Sequence, residues 1–321
     1  MSSASLPVID LSTDSTVLAH CIDAACSDLG FFVLSGHGVA ETVIDRTYQA
    51  ALAFFDLPLE EKLAVARPAP DVSRGYNCVA DQSHAATFGE APVPDLQESF
   101  GLGPLDQRPR PVAAQAAAAF APNLWPSRPI EFRQATEQYY RLMQQLALRL
   151  MSLFARTLKL PTDHFDRYFD HHASILRLVH YPSQPVAPAA GQLRAGPHTD
   201  FGTLTILRID DAAGGLQVRD RSGTWIDIEA QPGCFIVNIG DLMQRWTGDR
   251  WISSIHRVIN PPRDQAAVSR RLSLVFFHEP DPDALVRPLP IEGRRSSYPD
   301  IVAAEHRLSR VRALRGAAEK R

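Results

Sequence analysis

Two histidines and one aspartate stand out by type and spacing: His198 and Asp200 in the segment GPHTDFGTLTIL, and His256 in SSIHRV. His198 and Asp200 lie at i and i+2, a spacing that turns both side chains to one face of a β-strand. His256 comes far enough along the chain to reach them from another strand of a folded-back sheet. Two imidazoles and a carboxylate are the facial ligand set of non-haem Fe(II), which leaves coordination positions open for O2 chemistry. A lone His-x-Asp is common and describes a polar pair beside a turn equally well. The residues after His256 add the missing weight.

Beyond His256 the chain reads RRLSLVFFHEP, with Arg271 and Ser273 again at i and i+2 on a strand rich in Leu, Val and Phe. Burying a guanidinium among apolar neighbours is costly unless an anion pairs with it. A planar fork beside a hydroxyl suits a carboxylate held at two points. The plainer reading is an arginine at a strand end whose head reaches solvent along its stem.

In the order His198-x-Asp200, His256, Arg271-x-Ser273 the chain resembles the iron- and 2-oxoglutarate-dependent dioxygenases of the isopenicillin N synthase-like family. LPVIDLS at 6–12 and DLGFFVLSGHGV at 28–39 are similar to that family's N-terminal segment. LRLVHYP at 176–182 resembles the strand that carries its cosubstrate tyrosine, here Tyr181. GGLQVRDRSGTWIDI, PGCFIVNIGDLMQRWTGDRWISSIHRVINP and RRLSLVFFHEPDPDALVRPLP follow in the family's order. The resemblance covers most of 6–310 and is weakest at 65–125.

The resemblance implies an α+β fold with a mainly β core, a double-stranded β-helix (jelly roll) flanked by N-terminal and long central helices. It implies that His198, Asp200 and His256 bind Fe(II). It implies that Arg271 and Ser273 hold the far carboxylate of 2-oxoglutarate, with Tyr181 assisting. The expected enzyme consumes O2 and releases succinate and CO2 while it hydroxylates, desaturates or cyclises a small metabolite of specialised metabolism. In this family the substrate pocket is lined by N-terminal loops, strand residues near the metal and the C-terminal helix. Arg74, Tyr76, Phe100, Phe201 and Leu204 are candidates by position, and each could equally be packing. Two alternatives stay open. Isopenicillin N synthase and the aminocyclopropane carboxylate oxidases carry Arg-x-Ser and use no 2-oxoglutarate. A non-catalytic jelly-roll binding module is the other, although it would have no need of the His198–Asp200–His256 set.

The bulk properties agree with a folded enzyme. The 321 residues are 45% hydrophobic and 21% charged, ample for a large core. A net charge of −3 gives no reason to expect a nucleic-acid partner. No apolar run approaches the ~18 residues of a membrane span. The N-terminus MSSASLPVIDLS lacks basic and apolar signal regions, so a cytoplasmic enzyme is expected. Cys21, Cys26, Cys78 and Cys234 show no CxxC spacing and read as reduced thiols. A monomer or weak homo-oligomer acting on a small molecule, without membrane or nucleic acid, is the expected assembly.

The elements follow from pattern. Residues 6–11 and 30–35 read as strands around a helix from Thr16 to Leu29, and a second helix covers 40–55. Residues 66–112, rich in proline, read as long loops over the active site, and the Ala-rich 113–126 as a short helix or a linker. Phe132, Tyr139, Leu142, Met143, Leu146, Leu150, Leu153 and Phe154 recur at helical spacing and predict a long amphipathic helix. A further helix is expected between Asp163 and His171. Short strands are predicted at 174–181, 203–209, 215–219, 224–228, 234–238, 255–259 and 271–279. A last helix over 298–315 is expected to present a solvated charged face. The chain divides into an N-terminal part, 1–125, and a jelly-roll core with its C-terminal helix, 126–321, expected to form one compact unit. Among the remaining polar residues, His37, His171, His172, His180 and His278 read as satisfied histidines, and Asn238 and Asp241 as turn residues that could also support the site.

Overall fold

Alternation along one strand, Arg271–His278, organises the molecule. Its Leu272, Leu274 and Phe276 are fully buried in the larger hydrophobic core. Its Arg271, Ser273, Val275 and Phe277 turn the other way, toward a cavity. A strand that alternates in this manner must lie between two layers, one apolar and one that admits polar groups.

The structure, a computed structural model, describes residues 6–84, 93–106, 114–290 and 296–315. The strands are β1 (Val8–Asp10), β2 (Phe31–Ser35), β3 (Gly75–Asn77), β4 (Glu98–Leu102), β5 (Ile175–Tyr181), β6 (Ala195–His198), β7 (Leu204–Ile209), β8 (Leu216–Arg219), β9 (Trp225–Ile228), β10 (Phe235–Ile239), β11 (His256–Val258), β12 (Arg271–His278), β13 (Leu285–Val286) and β14 (Ile301–Val302). The helices are α1 (Ser15–Asp28), α2 (Glu41–Phe55), α3 (Leu59–Leu63), α4 (Phe132–Thr157), α5 (Asp241–Trp246) and α6 (Ala303–Arg315).

The larger sheet has eight strands in the order β1-β2-β10-β7-β12-β5-β4-β3, and a second sheet has four in the order β6-β11-β8-β9. The two sheets enclose a smaller core that includes Val179, Leu207, Ile209, Leu216, Val218, Val258 and Val275. This is the jelly-roll arrangement that the resemblance implies. The N-terminal strands belong to the same sheet as the rest: β2 pairs antiparallel with β10, and β4 with β5.

The outer face of the larger sheet is covered by α4, whose Phe132, Tyr139, Met143, Leu146, Leu150 and Phe154 are buried at helical spacing. The helix ends before Pro161. Lys159 adopts a left-handed φ of 60°, and Leu160 N–H donates to Ala155 O at 2.9 Å while Lys159 N–H donates to Arg156 O at 3.0 Å. That is a Schellman closure, here built without glycine. The start of α1 is capped by Asp14, whose carboxylate accepts Thr16 N–H at 2.8 Å.

Several expectations need correction. The segment 66–112 is not all loop, because β3 and β4 extend the larger sheet there; both are short and lack a long alternating run. Between Asp163 and His171 only a 3-10 turn forms, Asp166–Tyr168. Of the two readings left open for the Ala-rich stretch, part of it takes the short helix, as a 3-10 helix over Ala114–Phe120. Asp241 opens the helix α5, and α6 starts at Ala303, after the short strand β14. Residues 85–92 and 107–112, within the region read as loops, and residue 113 of the Ala-rich stretch lie outside the described residues.

Gly30 joins α1 to β2 at a φ of +69°, and a Cβ there would stand 1.9 Å from Ile252 O. Its own carbonyl accepts Ile239 N–H at 2.9 Å. Gly30→Ala is expected to lose ~1–3 kcal/mol through backbone strain and a further ~1–3 kcal/mol through overpacking. Urea unfolding checks this, and an unchanged midpoint would show that the junction tolerates a side chain.

Candidate metal and cosubstrate site

The open end of the sandwich brings the three metal-ligand candidates together. β11 pairs antiparallel with β6, and His256 stands directly opposite His198. The two rings lie 4.2 Å apart between centroids. Asp200 does not share a strand with His198, because β6 ends at His198 and the chain turns. The turn, not the pleat, swings the carboxylate back. One ligand atom from each of His198, Asp200 and His256 lies within 4.8 Å of the others, and this is the group among the described residues able to hold a metal.

Each ligand is oriented by its neighbours. His198 Nδ1 lies 2.8 Å from Gly196 O, and His256 Nδ1 lies 3.0 Å from Ser254 O. A carbonyl only accepts, so each Nδ1 carries the proton and each Nε2 keeps its lone pair. Asp200 Oδ2 accepts Thr205 Oγ1–H at 2.6 Å and Asn238 Nδ2–H at 2.7 Å. Its other oxygen, Oδ1, faces His256 Nε2 at 3.7 Å, too far for a hydrogen bond and suited to a shared ion. Burial, followed by the adjacent rings of His84 and His256, pushes His198 well below the usual histidine range. The ring is therefore neutral, the form that ligates metal. This donor set fits Fe(II). Asn238, expected only as a turn residue with a possible supporting part, lies on β10 and clamps the carboxylate.

Deeper between the sheets lie Arg271, Ser273 and Tyr181. Arg271 and Tyr181 are opposite each other on β12 and β5, and all three side chains line one cavity with His198, Asp200 and His256. Arg271 Nη1 donates to Ala212 O at 3.0 Å and to Gly214 O at 3.3 Å, and lies 3.3 Å from Asp210 Oδ1. Its Nε is buried with no hydrogen-bond partner. An orphaned donor of a guanidinium, beside a hydroxyl and a phenol, is what an acidic cosubstrate would complete. Burial pushes the Tyr181 phenol up to about 12, so it remains a donor. The donor set thus fits 2-oxoglutarate as well as iron.

A second cavity adjoins the first at His198, Asp200, Arg177 and Phe277 and is lined in addition by Phe201, Asn77, Glu279 and Arg307 among others. Of the five substrate candidates only Phe201 is on its wall. Arg74 packs over Gly103 and donates to Ala119 O at 2.8 Å, which commits its guanidinium to the N-terminal region. The Tyr76 hydroxyl donates to Glu98. Phe100 lies against Phe54 and Phe132 in the larger core, and Leu204 is buried there as well.

Other residues at or near these cavities were not foreseen. His84 lies 4.1 Å from His198 between ring centroids, and Asp95 ties it down by accepting His84 N–H at 2.9 Å and Gly196 N–H at 2.8 Å. Arg194, fully buried, has its own orphaned Nε and sits 5.8 Å above the Tyr181 ring. α6 does not present a wholly solvated face: Arg307 and Val311 line the second cavity, and Arg310 bonds Asp241 at 2.7 Å. Strand parity could have found two more residues. Arg177 is in phase with Val179 and Tyr181, and Glu279 with Arg271 and Ser273. Four of the other histidines bond away from the site. His37 bonds Gly233 O at 2.9 Å, His172 bonds Gln144, His180 bonds Glu98 and His278 bonds Thr203.

A jelly roll with two imidazoles, one carboxylate and a buried basic pocket defines a non-haem iron oxygenase. The profile described as non-haem dioxygenase in morphine synthesis N-terminal matches residues 6–128, and that of the 2OG-Fe(II) oxygenase superfamily matches 172–280. The 2-oxoglutarate-Fe(II) type oxidoreductase hxnY of Emericella nidulans is 34% identical over 314 residues, across 93% of this chain and 87% of that protein. The 2-oxoglutarate-dependent dioxygenase citB of Monascus ruber is 36% identical, across 97% and 95%. The crystal structure of a full-length Neurospora crassa protein in complex with alpha-KG matches with a TM-score of 0.82 at 28% identity, across 97% of this chain and 98% of that one. The chain belongs to the 2OG-Fe(II) oxygenase superfamily and is a 2-oxoglutarate-dependent dioxygenase. Among the described residues no helix is long and apolar enough to cross a membrane.

His256→Ala is expected to abolish stoichiometric iron loading, since two ligands cannot fix a labile Fe(II). Asn238→Ala should keep the three ligands and weaken Fe(II) binding about 10–100-fold, the usual effect of losing an orienting partner. Anaerobic Fe(II) titration with elemental analysis reads both. Full loading of the His256 variant would remove His256 from the ligand set.

Proposed function

We propose that His198, Asp200 and His256 hold the catalytic Fe(II), that Arg271, Ser273 and Tyr181 hold 2-oxoglutarate, and that the second cavity takes a small organic metabolite. The observation that carries this reading is the place of the metal group between two cavities of different character. One lies between the two sheets and reaches Arg271, whose Nε has no partner. The other is walled by Phe201, Phe277, Arg307 and Val311. A cosubstrate and a substrate can therefore approach the same ion from two sides.

When bound, Fe(II) with 2-oxoglutarate and O2 supplies an oxidant strong enough to take hydrogen from a C–H bond, with succinate and CO2 as coproducts. The chain's own residues do the rest. Arg271 pairs with the far carboxylate of the cosubstrate while Asp210 and two carbonyls hold one edge of its guanidinium in place. Ser273 adds a hydroxyl donor and Tyr181 a phenolic one. Thr205 and Asn238 keep Asp200 Oδ1 turned to the ion. Phe201, Phe277 and α6 keep water from the reacting C–H bond. Arg307 bonds Ser73 Oγ at 2.8 Å and so fastens α6 over the cavity. We infer the same compartment and assembly as from sequence: a cytoplasmic enzyme, monomeric or weakly self-associating, whose N-terminal part and jelly-roll core act as one unit.

Two panels test the reading, one of small metabolites and one of peptides, histones and alkylated oligonucleotides, scored by succinate release under Fe(II), 2-oxoglutarate and O2. Turnover confined to the macromolecules would overturn the substrate class. Arg271→Ala is expected to cost about 2–5 kcal/mol of cosubstrate binding, roughly 30-fold or more in dissociation constant, with iron loading preserved. Ser273→Ala removes one donor to a charged group, about 1.5–3 kcal/mol. The charge-transfer band of the anaerobic Fe(II) enzyme, titrated with 2-oxoglutarate, measures both. An unchanged constant in the Arg271 variant would place the cosubstrate elsewhere.

A further inference from the structure

The second cavity holds, besides Asp200, one acid that no hydrogen bond or ion pair of the described residues answers. Glu279 follows β12 and is only 5% exposed. Its main chain is satisfied, since its N–H donates to Ser174 Oγ at 3.1 Å and its carbonyl accepts the same hydroxyl at 3.3 Å. Its carboxyl makes no hydrogen bond or ion pair among the described residues, yet it lines the cavity with Phe201 and Phe277.

Nearby positive charge does not neutralise it. Arg177 spends its guanidinium on the neutral partners Ser99 Oγ, at 3.0 Å, and Gln82 Oε1, at 2.7 Å. Arg307 bonds Ser73 Oγ. Neither forms an ion pair with Glu279. The fold also makes room for this carboxyl. Gly202 lies in the turn that carries Asp200 and Phe201, and a Cβ there would stand 3.1 Å from Glu279 Oε1 and 2.6 Å from His278 O. The acid is thus pressed against the same turn that presents Asp200 to the metal.

A buried carboxyl without a partner is costly in its ionised form. Consistent with that, burial raises Glu279 to about 7. A ligand that brings a positive charge removes the penalty and gains a charge-assisted hydrogen bond. A neutral ligand without a donor leaves the acid unpaired, and sites built around a buried polar group discriminate strongly against such analogues.

We propose that Glu279 is the specificity-determining residue of the substrate cavity, and that the substrate carries a cationic nitrogen (a protonated amine, amidine or guanidine) that its carboxylate pairs with, beside the C–H bond to be oxidised. This rests on the second cavity being the substrate site.

The test uses the Fe(II) protein saturated with 2-oxoglutarate, without O2, and calorimetry with matched pairs: cyclohexylamine and cyclohexanol, piperidine and tetrahydropyran, lysine and norleucine. The amine of a pair is expected to bind at least tenfold more tightly than its neutral isostere. Glu279→Gln keeps the shape and should erase that preference, weakening the amine roughly 30-fold or more. Glu279→Asp should recover part of it. An amine ligated directly to the iron would bind the Gln variant as well as the wild type, and that result overturns the proposal. So does the absence of amine binding, or equal binding of the two members of every pair. Succinate release under O2 separates the two readings. Stimulation of the wild type by neutral compounds alone would overturn the role of Glu279 and leave the oxygenase reading standing. A Glu279-dependent preference for amines without any succinate would support the role of Glu279 as a cation site and remove the reading of the second cavity as the place where substrate is oxidised.

Discussion

Everything at the site depends on the pairing of β6 with β11. Two imidazoles far apart in sequence meet only because His256 is fixed opposite His198 in an antiparallel ladder. Side chains alternate along a strand, so a slip of one residue would turn His256 away from the cavity. The register is held from outside the pair. β11 also pairs with β8, where His256 is opposite Val218, and Ser254 Oγ donates to Leu29 O. The metal site is thus a consequence of strand register, and the register is a consequence of the surrounding sheet and of α1.

Asp200 is held by a different principle. It belongs to a turn, where backbone geometry alone would leave a carboxylate several choices. The choices are removed by using one oxygen for the protein and one for the ion: Thr205 and Asn238 occupy Oδ2, and Oδ1 is left facing His256. These two donors come from β7 and β10, adjacent strands of the larger sheet. The carboxylate therefore links the small sheet, which carries the histidines, to the large one, which carries the basic pocket. Loss of either donor would loosen the geometry without touching a ligand.

What the sequence revealed and what it concealed divide along the same line. Parity within one strand is legible: Arg271 and Ser273 share a face, Tyr181 shares one with Val179, and His180 points away to Glu98. The long apolar stripe of α4 is legible because it repeats over many turns. Contacts that depend on how loops cross are not. Nothing in the letters PHTD says that the strand stops at His198 and that a turn delivers Asp200. The short strands β3 and β4 lie in a proline-rich stretch, and their pairing is settled by β5 beside them and not by their own pattern. The arginines of α6 look like a solvated face until Ser73 and Asp241 come up against them. Arg74 resembles a pocket residue in sequence because it is charged and near an aromatic, but a glycine at 103 lets it lie flat against the chain instead.

The polar groups left unsatisfied give the site its direction. Most buried polar atoms in a folded protein find partners, and the exceptions call for a reason. Here Arg271 Nε is one such atom, and on the wall of the other cavity the Glu279 carboxyl, of opposite charge, makes no hydrogen bond or ion pair among the described residues. Arg271 belongs to the deep cavity between the sheets and Glu279 to the cavity covered by α6, with His198 and Asp200 on the walls of both. Arg271 has Asp210 at 3.3 Å and still keeps a free Nε donor, while the Glu279 carboxyl has no ion pair, so one cavity asks for an acceptor and the other for a cation. With these demands in two adjoining cavities, two different ligands can be oriented toward one ion.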